Sequence, residues 1–331
     1  MTLTAPLRFR PVFKRALWGG RRLSDVLHKA IGPETDYAES WEIVDRGPDQ
    51  SVVIAGPWQG RTLGELTATE GAALLGRHHP QTRFPLLFKF LDCREKLSVQ
   101  VHPDDACAAL LDPPDLGKTE AWTILDAVPG SVIYSGLNDG VDRAALAREV
   151  ERGTCDASLH RFEPVKGDCL LLPAGVVHAP GGGQLIAEIQ QASDATFRLF
   201  DWNRTDAQGR PRQLHVEQAL ASINYDFGPA LPQIPRPTDD RQVERLVECP
   251  QFILERLVLT ESHTLPADDR CRILAVISGS AVIAASTSNS SHATGDEEAY
   301  TIGDTCLVPA SLTQVTIRPT SHAVVLSAFL P

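Results

Sequence analysis

Short apolar segments separated by glycine and proline turns fill the chain after residue 162, and they constrain its fold more than any other feature. Clear examples are residues 169–172, 184–191 and 195–202. Many short strands at regular spacing are typical of a β-sandwich or a β-barrel, whereas a parallel βαβ array needs a helix between successive strands. We therefore expect a mainly β fold.

Two segments depart from the strand pattern and predict helices. Residues 62–76 have helical spacing and no run of β-branched residues, which predicts one or two short surface helices. Residues 138–153 carry an apolar stripe behind two candidate capping residues, Asn138 and Asp142. The expected architecture is thus a set of strands with a few short helices.

The length of the chain and one proline-rich segment predict two domains. At 331 residues the chain exceeds the usual size of a single core, and its 43% of hydrophobic residues is enough for two. Residues 226–241 contain four prolines and little periodicity, which is typical of a linker. We expect one domain over residues 1–225 and a second over residues 242–331.

Overall charge and the cysteines limit the partners and the compartment. With 42 acidic and 31 basic residues the net charge is -11, which argues against nucleic acid or an anionic membrane surface as the partner. No apolar stretch is long enough for a membrane helix, and the amino terminus lacks the apolar core of a signal peptide. Seven scattered cysteines without a CxxC motif fit reduced thiols in the cytoplasm.

An approximate internal repeat supports the division into two domains. The pattern G-x5-P-x-G-x2-H of residues 167–178 returns as G-x5-P-x-S-x2-Q in residues 303–314, with an aspartate after the first glycine in both copies. The first copy ends on His178 and the second on Gln314. We interpret the repeat as two related barrels, of which only the first kept a metal ligand.

One face of the predicted strand over residues 97–102 indicates a binding site. Alternation along this strand places a hydroxyl, an amide and an imidazole on the same side, from Ser98, Gln100 and His102. Glu120, in a predicted strand over residues 116–126, and His178 add a carboxylate and a second imidazole. Nitrogen and oxygen ligands of this kind suit Zn²⁺ or another divalent first-row metal.

Three cationic side chains accompany these potential ligands. Lys89 lies in the strand before the polar face, Lys118 is two residues from Glu120, and Arg198 interrupts the apolar run FRLF. In an otherwise acidic protein, such a group is suited to hold a phosphate and developing negative charge. Two histidines and a carboxylate also describe the metal site of non-haem iron oxygenases, but that alternative leaves the cations unexplained.

Several blocks of the sequence resemble a known family. The segments KFLDCREKLSVQVHPDD, GKTEAW, PAGVVHAPGGG and AEIQQASDATFRLFDWNR are similar to signature blocks of type I mannose-6-phosphate isomerases in their short bacterial form. PVFKRALWGGRRL and ESWEI are similar to the family's amino-terminal blocks. Residues 167–178 resemble the second cupin motif, although Gly182 stands where that motif usually has asparagine. The resemblance is dense over residues 7–225 and weak beyond them.

The resemblance implies a fold, a cofactor and an activity. The fold would be two cupin-type jelly-roll β-barrels, the second of them degenerate and without metal. One Zn²⁺ per chain would be bound by four side chains, namely Gln100, His102, Glu120 and His178. The activity would be the interconversion of mannose 6-phosphate and fructose 6-phosphate through an enediol.

The resemblance also implies roles around the metal. Arg198 and Lys118 would be catalytic, and four side chains would bind or border the sugar phosphate, namely Ser98, Lys89, Trp18 and Glu42. A sugar-phosphate-binding cupin without turnover is the alternative from another class, and it would not require the cationic set to be complete. The sequence leaves open the proton-transferring base and the oligomeric state.

Overall fold

The structure is a computed structural model that describes residues 2–205, 209–285 and 299–331. The mainly β architecture is confirmed, and the helices of the described residues are few and short. They are α1 (Arg22–Asp25), α2 (Leu63–Leu75), α3 (Asp105–Ala108), α4 (Arg143–Arg152) and α5 (Val216–Ser222), with one 3₁₀ turn at Cys155–Ser158. None of these helices has the length and apolar composition needed to cross a membrane.

The strands fall into an amino-terminal and a carboxy-terminal group. The first group is β1 (Phe9–Arg10), β2 (Val12–Gly20), β3 (Tyr37–Ile43), β4 (Asp45–Arg46), β5 (Asp49–Gln50), β6 (Val52–Val53), β7 (Leu86–Cys93), β8 (Val99–Val101), β9 (Glu120–Ala127), β10 (Ile133–Leu137), β11 (Leu159–Phe162), β12 (Cys169–Leu172), β13 (His178–Pro180), β14 (Gln184–Gln191) and β15 (Phe197–Phe200). The second group is β16 (Arg236–Pro237), β17 (Val243–Glu248), β18 (Ile253–Leu259), β19 (His263–Thr264), β20 (Arg272–Ala285), β21 (Tyr300–Thr301), β22 (Thr305–Val308) and β23 (Val315–Phe329).

Two antiparallel sheets of the first group face each other. One has the strand order β12-β9-β14-β7-β3-β2 and the other β11-β10-β13-β8-β15. Between them lies an apolar cluster to which Trp122 and Ile186 contribute from the first sheet and Ile133 from the second. Strands β16 to β23 form an eight-stranded sheet, and the short pairs β1-β6 and β4-β5 form two small sheets of their own.

The six-stranded sheet is buried on both faces. Its second face packs on the eight-stranded sheet, because Phe88 and Phe90 share a core cluster with Ile273 and Leu326. Every residue of β7 and β14 is consequently buried. A charged side chain in either strand therefore cannot reach bulk solvent and needs a partner inside the protein.

Both predicted helices are present, and α2 is a surface helix that buries one face in the core. Thr62 caps α2 through a reciprocal capping box with Glu65, and the helix ends at Leu75. Six of its residues are buried and pack into the core cluster beneath the six-stranded sheet, while four residues of its other face are exposed, as expected of a surface helix. Helix α4 matches its prediction, and Asp142 is the residue that caps it.

The proline-rich segment of residues 226–241 is attached to the first group of strands. The amide of Ala230 donates to the carbonyl of Ser135 over 3.0 Å, and the amide of Gln233 donates to the carbonyl of Cys169 over 2.6 Å. Its last part forms β16, which pairs with β17. The segment thus connects the two groups of strands, and the division into domains at its ends stays a prediction.

Candidate metal centre

Three of the predicted ligands meet between the two facing sheets. His102 follows β8 directly, Glu120 begins β9 and His178 begins β13. One ligand atom from each side chain lies within 4.8 Å of the others, and all three residues are buried. The shortest contacts join Glu120 Oε1 to His178 Nε2 at 3.2 Å and Glu120 Oε2 to His102 Nε2 at 3.3 Å.

The backbone orients both imidazoles toward the carboxylate. His102 Nδ1 lies 2.9 Å from the carbonyl of Ala195, and His178 Nδ1 lies 2.9 Å from the carbonyl of Val176. Because a carbonyl can only accept, each Nδ1 carries the proton and each Nε2 offers a lone pair. A hydrogen bond from Nδ1 to a backbone carbonyl is typical of histidines that bind a metal through Nε2.

The donor set fits a bound cation. Lone pairs of two imidazoles and a carboxylate converge, and Glu120 Oε1 is buried without a hydrogen-bond donor. An unpaired buried carboxylate oxygen is costly unless a cation compensates it. Gln100 is the cross-strand partner of His178 and its amide nitrogen lies 3.4 Å from His178 Nε2, so its side chain borders the same point.

The protonation states suit metal binding as well. Burial, followed by the charge of Lys118, lowers the pKa of His102 to about 3, so its imidazole is neutral at physiological pH. Burial alone would raise the pKa of Glu120, but Lys118 and the two histidines outweigh it and hold that pKa well below its usual range. A neutral imidazole and an ionised carboxylate are the ligand forms that a divalent metal requires.

Lys118 directly contacts the ligand set. Its Nζ lies 2.9 Å from His102 Nε2 and forms a short ion pair with Glu120. The sequence prediction placed Lys118 within a strand, but β9 begins only at Glu120, so Lys118 belongs to the loop before it. The side chain nevertheless reaches the same face as the carboxylate.

A cavity of about 340 Å³ opens beside these ligands. Its lining includes six of the predicted site residues, namely Trp18, Lys89, Ser98, Gln100, Lys118 and Arg198. It also includes polar or charged residues that the sequence analysis did not select, namely Glu39, Glu188, Asp194, Thr196 and Arg212. The cavity is therefore rich in both charges.

Lys89 is paired inside this cavity with two carboxylates. Its Nζ lies 3.0 Å from Glu39 Oε2 and 3.3 Å from Glu188 Oε1. Burial lowers the pKa of Lys89, but Glu188 and Glu39 together raise it well above its usual value, so the ammonium is retained. Burial and the charge of Glu120 raise the pKa of Glu188. The charge of Lys89 is thus largely neutralised by its neighbours.

Glu42 does not reach the cavity, contrary to the sequence prediction of a rim residue. It lies on the opposite face of β3 from Glu39, and it is buried. Its Oε2 is 2.7 Å from Lys29 Nζ and accepts a hydrogen bond of 3.1 Å from Thr305. Alternation explains the difference, since a shift of three residues along β3 moves a side chain to the other face of the sheet.

Arg198 also lines the cavity and is half buried. Its Nε donates to Ser98 Oγ over 3.2 Å and its Nη1 donates to the carbonyl of Gln213 over 3.0 Å. Burial, followed by the charge of Arg212, lowers its pKa. Within residues 2–205, 209–285 and 299–331, no carboxylate forms an ion pair with this guanidinium. A half-buried guanidinium without such an ion pair is suited to bind an anionic ligand.

The sequence offered a signal for one of the overlooked residues. Glu188 is a carboxylate in the otherwise apolar run LIAEIQ, and it pairs across the sheet with Lys89 on one side and Trp122 on the other. Trp122 also donates to Glu188 Oε2 over 3.1 Å. A charge in a fully buried strand indicates a polar site. Arg212 stands outside any strand and had no such signal.

The second repeat has an arginine at the position that Glu120 occupies in the first repeat. In the first repeat Glu120 pairs with Leu172, the residue before the repeat's proline, and in the second repeat Arg272 pairs with Val308 at the same point. Arg272 is buried, and its Nη2 donates to Asp268 over 2.6 Å. A guanidinium thus stands where the first copy has a carboxylate.

We therefore expect one metal site per chain. A guanidinium cannot coordinate a cation, and Gln314 replaces the histidine of the first repeat. Metal analysis of the purified protein should give one equivalent per chain, and His178→Ala should reduce it to near zero. Two equivalents, with one surviving that substitution, would contradict the assignment.

A mainly β fold in which facing sheets enclose two histidines and a carboxylate is a cupin-type architecture with a candidate metal site. Residues 7–118 match the catalytic domain of type I phosphomannose isomerases. The chain is 37% identical over 282 residues to mannose-6-phosphate isomerase ManA of Bacillus subtilis, a match that covers 83% of this chain and 86% of the relative. The chain belongs to the type I mannose-6-phosphate isomerase family, which confirms the resemblance noted in the sequence.

Solved structures agree with this membership. A crystal structure of the mannose 6-phosphate isomerase from Bacillus subtilis superposes with a TM-score of 0.85 at 29% identity, covering 98% of this chain and 99% of that one. A mannose 6-phosphate isomerase bound with zinc and yttrium superposes with a TM-score of 0.73 at 14% identity, covering 97% of this chain and 98% of that one. The second likeness supports the fold alone.

Proposed function

We propose that this chain is a metal-dependent aldose–ketose isomerase that interconverts mannose 6-phosphate and fructose 6-phosphate. The observation that carries the proposal is the buried cluster of His102, Glu120 and His178 beside a cavity that also contains Lys118 and Arg198. Family membership supports the same reaction, because the relatives that match most of this chain are named mannose-6-phosphate isomerases.

We further propose Zn²⁺ as the metal. His102, Glu120 and His178 would hold it, with Gln100 as a fourth ligand, and this mixture of nitrogen and oxygen donors suits that ion. When bound, the metal would supply Lewis-acid polarisation of the sugar's carbonyl and hydroxyl oxygens. The remaining steps of the reaction fall to side chains of the chain itself.

The isomerisation requires a proton to leave the carbon beside the carbonyl and to return to the former carbonyl carbon. Glu188 and Lys118 are the groups whose position in the cavity supports a role in this transfer, since Glu188 Oε1 lies 3.6 Å from Lys118 Nζ. A carboxylate whose pKa is raised is a better base than an ordinary one. Arg198 would stabilise the enediolate oxygen while the proton is absent.

The distribution of charge supports a phosphate site away from Lys89. That ammonium already has two carboxylate partners, whereas Arg198 has none among the described residues. Arg212 lines the same cavity, and its only described ion pair is a long one of 3.5 Å to Asp201. The guanidinium of Arg212 offers a planar set of donors that binds phosphate well. We therefore propose that Arg212 helps to hold the phosphate.

Replacing Arg212 with alanine is expected to raise KM for mannose 6-phosphate roughly tenfold, the effect of losing one charge-assisted hydrogen bond of about 1.4 kcal/mol. The kcat should change little, because the phosphate does not react. Steady-state kinetics of Arg212→Ala, with Arg236→Ala as a control that removes an exposed arginine elsewhere, measures this. An unchanged KM would exclude Arg212 from phosphate recognition.

The experiment that tests the proposed function is a coupled assay of mannose 6-phosphate conversion with metal analysis of the same sample. We expect turnover that disappears after chelation and returns with Zn²⁺. Tight binding of the sugar phosphate without turnover would favour a binding protein, and consumption of oxygen would favour an iron oxygenase.

All seven cysteines lie in the described part of the chain and are free thiols, which supports a cytoplasmic location.

A further inference from the structure

The loop that carries Lys118 is held at three consecutive backbone amides. Residues 117, 118 and 119 are all buried, although they belong to no strand or helix. A buried amide without an acceptor is costly, so each of the three needs a partner. The identity of these partners shows how the loop is fixed in place.

Each amide has a different acceptor. Gly117 donates to Asp105 Oδ1 over 2.8 Å, and Thr119 donates to Gln191 Oε1 over 3.0 Å. Lys118 itself donates over 3.0 Å to the carbonyl of Pro103, the residue that follows the ligand His102. The loop is therefore tied to the same chain segment that presents a metal ligand.

The two side-chain acceptors also contact each other. Gln191 Nε2 donates to Asp105 Oδ1 over 3.0 Å, so one carboxylate oxygen accepts from both the loop and the glutamine. Gln191 ends the buried strand β14, which also carries Glu188. Asp105 and Gln191 thus connect α3 and the loop to the six-stranded sheet.

Close contact between the loop and α3 depends on a glycine. A Cβ atom on residue 117 would lie 2.5 Å from the amide nitrogen of Asp105, which is far inside the contact distance. Only glycine lets the loop approach the helix closely enough for the hydrogen bond between Gly117 and Asp105. The glycine at position 117 therefore allows the close contact that the loop makes with its acceptor.

We propose that Asp105 and Gln191 are positioning residues that fix the backbone of Lys118 beside the cluster of His102, Glu120 and His178. The inference rests on the proposed function, because it assigns the loop a role in that reaction. Neither residue lines the cavity, so each would act through the backbone on either side of Lys118. A loop released from both would let the ammonium move away from the cavity that it lines.

The test compares Asp105→Ala with two matched variants. Asp105→Asn keeps the oxygen that accepts both hydrogen bonds, and Asp104→Ala removes a neighbouring carboxylate that caps α3 through Cys107 and does not touch the loop. We expect Asp105→Ala to lower kcat roughly 10- to 100-fold, with KM and metal content close to wild type. Asp105→Asn should restore most of kcat, and Asp104→Ala should leave it near wild type.

Hydrogen exchange of the segment over residues 114–120 provides a readout that does not depend on activity. Exchange at the loop amides should accelerate in Asp105→Ala and in Gln191→Ala, and stay slow in Asp105→Asn and Asp104→Ala. Unchanged exchange in Asp105→Ala would overturn this connection, and faster exchange without loss of kcat would overturn its role in positioning. Absence of turnover in the wild type would instead count against the proposed function, and the exchange data would still decide whether the connection holds the loop.

Discussion

Substitution of His178 or Glu120 with alanine is expected to remove the bound metal and the isomerase activity together. Each substitution deletes one protein ligand from a buried set whose remaining members would still be held by the backbone. Gln100 and the two ligands that remain bind a divalent metal far more weakly than the complete set, so affinity should fall by orders of magnitude. Turnover should fall with it, because the carbonyl would no longer be polarised.

The measurement is the metal content after dialysis against a chelator, made on the same sample as the kinetic assay. His322→Ala is a suitable control, because it removes an exposed histidine remote from the cavity. Circular dichroism of each variant checks that the sheets persist. Full metal content in either ligand variant would remove that residue from the metal site, whatever its activity.

The fold could be predicted from the sequence because its determinants are local. Glycine and proline turns between short apolar runs define β14 and β15, and Asp142 with its apolar stripe defines α4. The burial of the six-stranded sheet on both faces was harder to predict from the sequence, because it depends on the eight-stranded sheet that packs on its second face. The same core cluster also buries one face of the surface helix α2.

Residues of the site were predictable where alternation within one strand determined their side. Ser98 and Gln100 both line the cavity, and His102 extends the same polar face. The prediction for Glu42 was wrong because a single short block does not reveal which face of β3 lines the cavity. The carboxylate of β3 that lines the cavity is Glu39. Partners that come from distant loops, such as Arg212, carry no local pattern at all.

Charge balance in the cavity could not be read from the sequence either. Lys89, Lys118 and Arg198 look alike as three cations in an acidic chain. The structure gives Lys89 two carboxylate partners and places Lys118 against the ligands. Among the described residues, the guanidinium of Arg198 contacts a hydroxyl and a carbonyl and no carboxylate. The three side chains are therefore suited to different tasks, and Arg198 has the charge that is least compensated.

Replacing Arg198 with alanine is consequently expected to lower kcat roughly 10²-fold or more, the scale of losing one donor that stabilises developing charge. The guanidinium is half buried and its pKa is lowered by burial and by Arg212, which means that its positive charge is poorly compensated in the free protein. An enediolate would supply the missing negative charge only in the course of the reaction, so the interaction should appear in kcat more than in KM.

The variants Arg198→Ala and Arg198→Lys separate this role from simple binding of the substrate. Lysine restores the charge but not the planar set of donors that reaches Ser98 and the carbonyl of Gln213, so it should recover little of kcat. Metal content should match the wild type in both variants, because Arg198 touches none of the three ligands. If Arg198→Ala raised KM and left kcat unchanged, the guanidinium would belong to phosphate binding together with Arg212. In that case Lys118, which pairs with Glu120, would be the next cationic side chain to test for stabilising the enediolate.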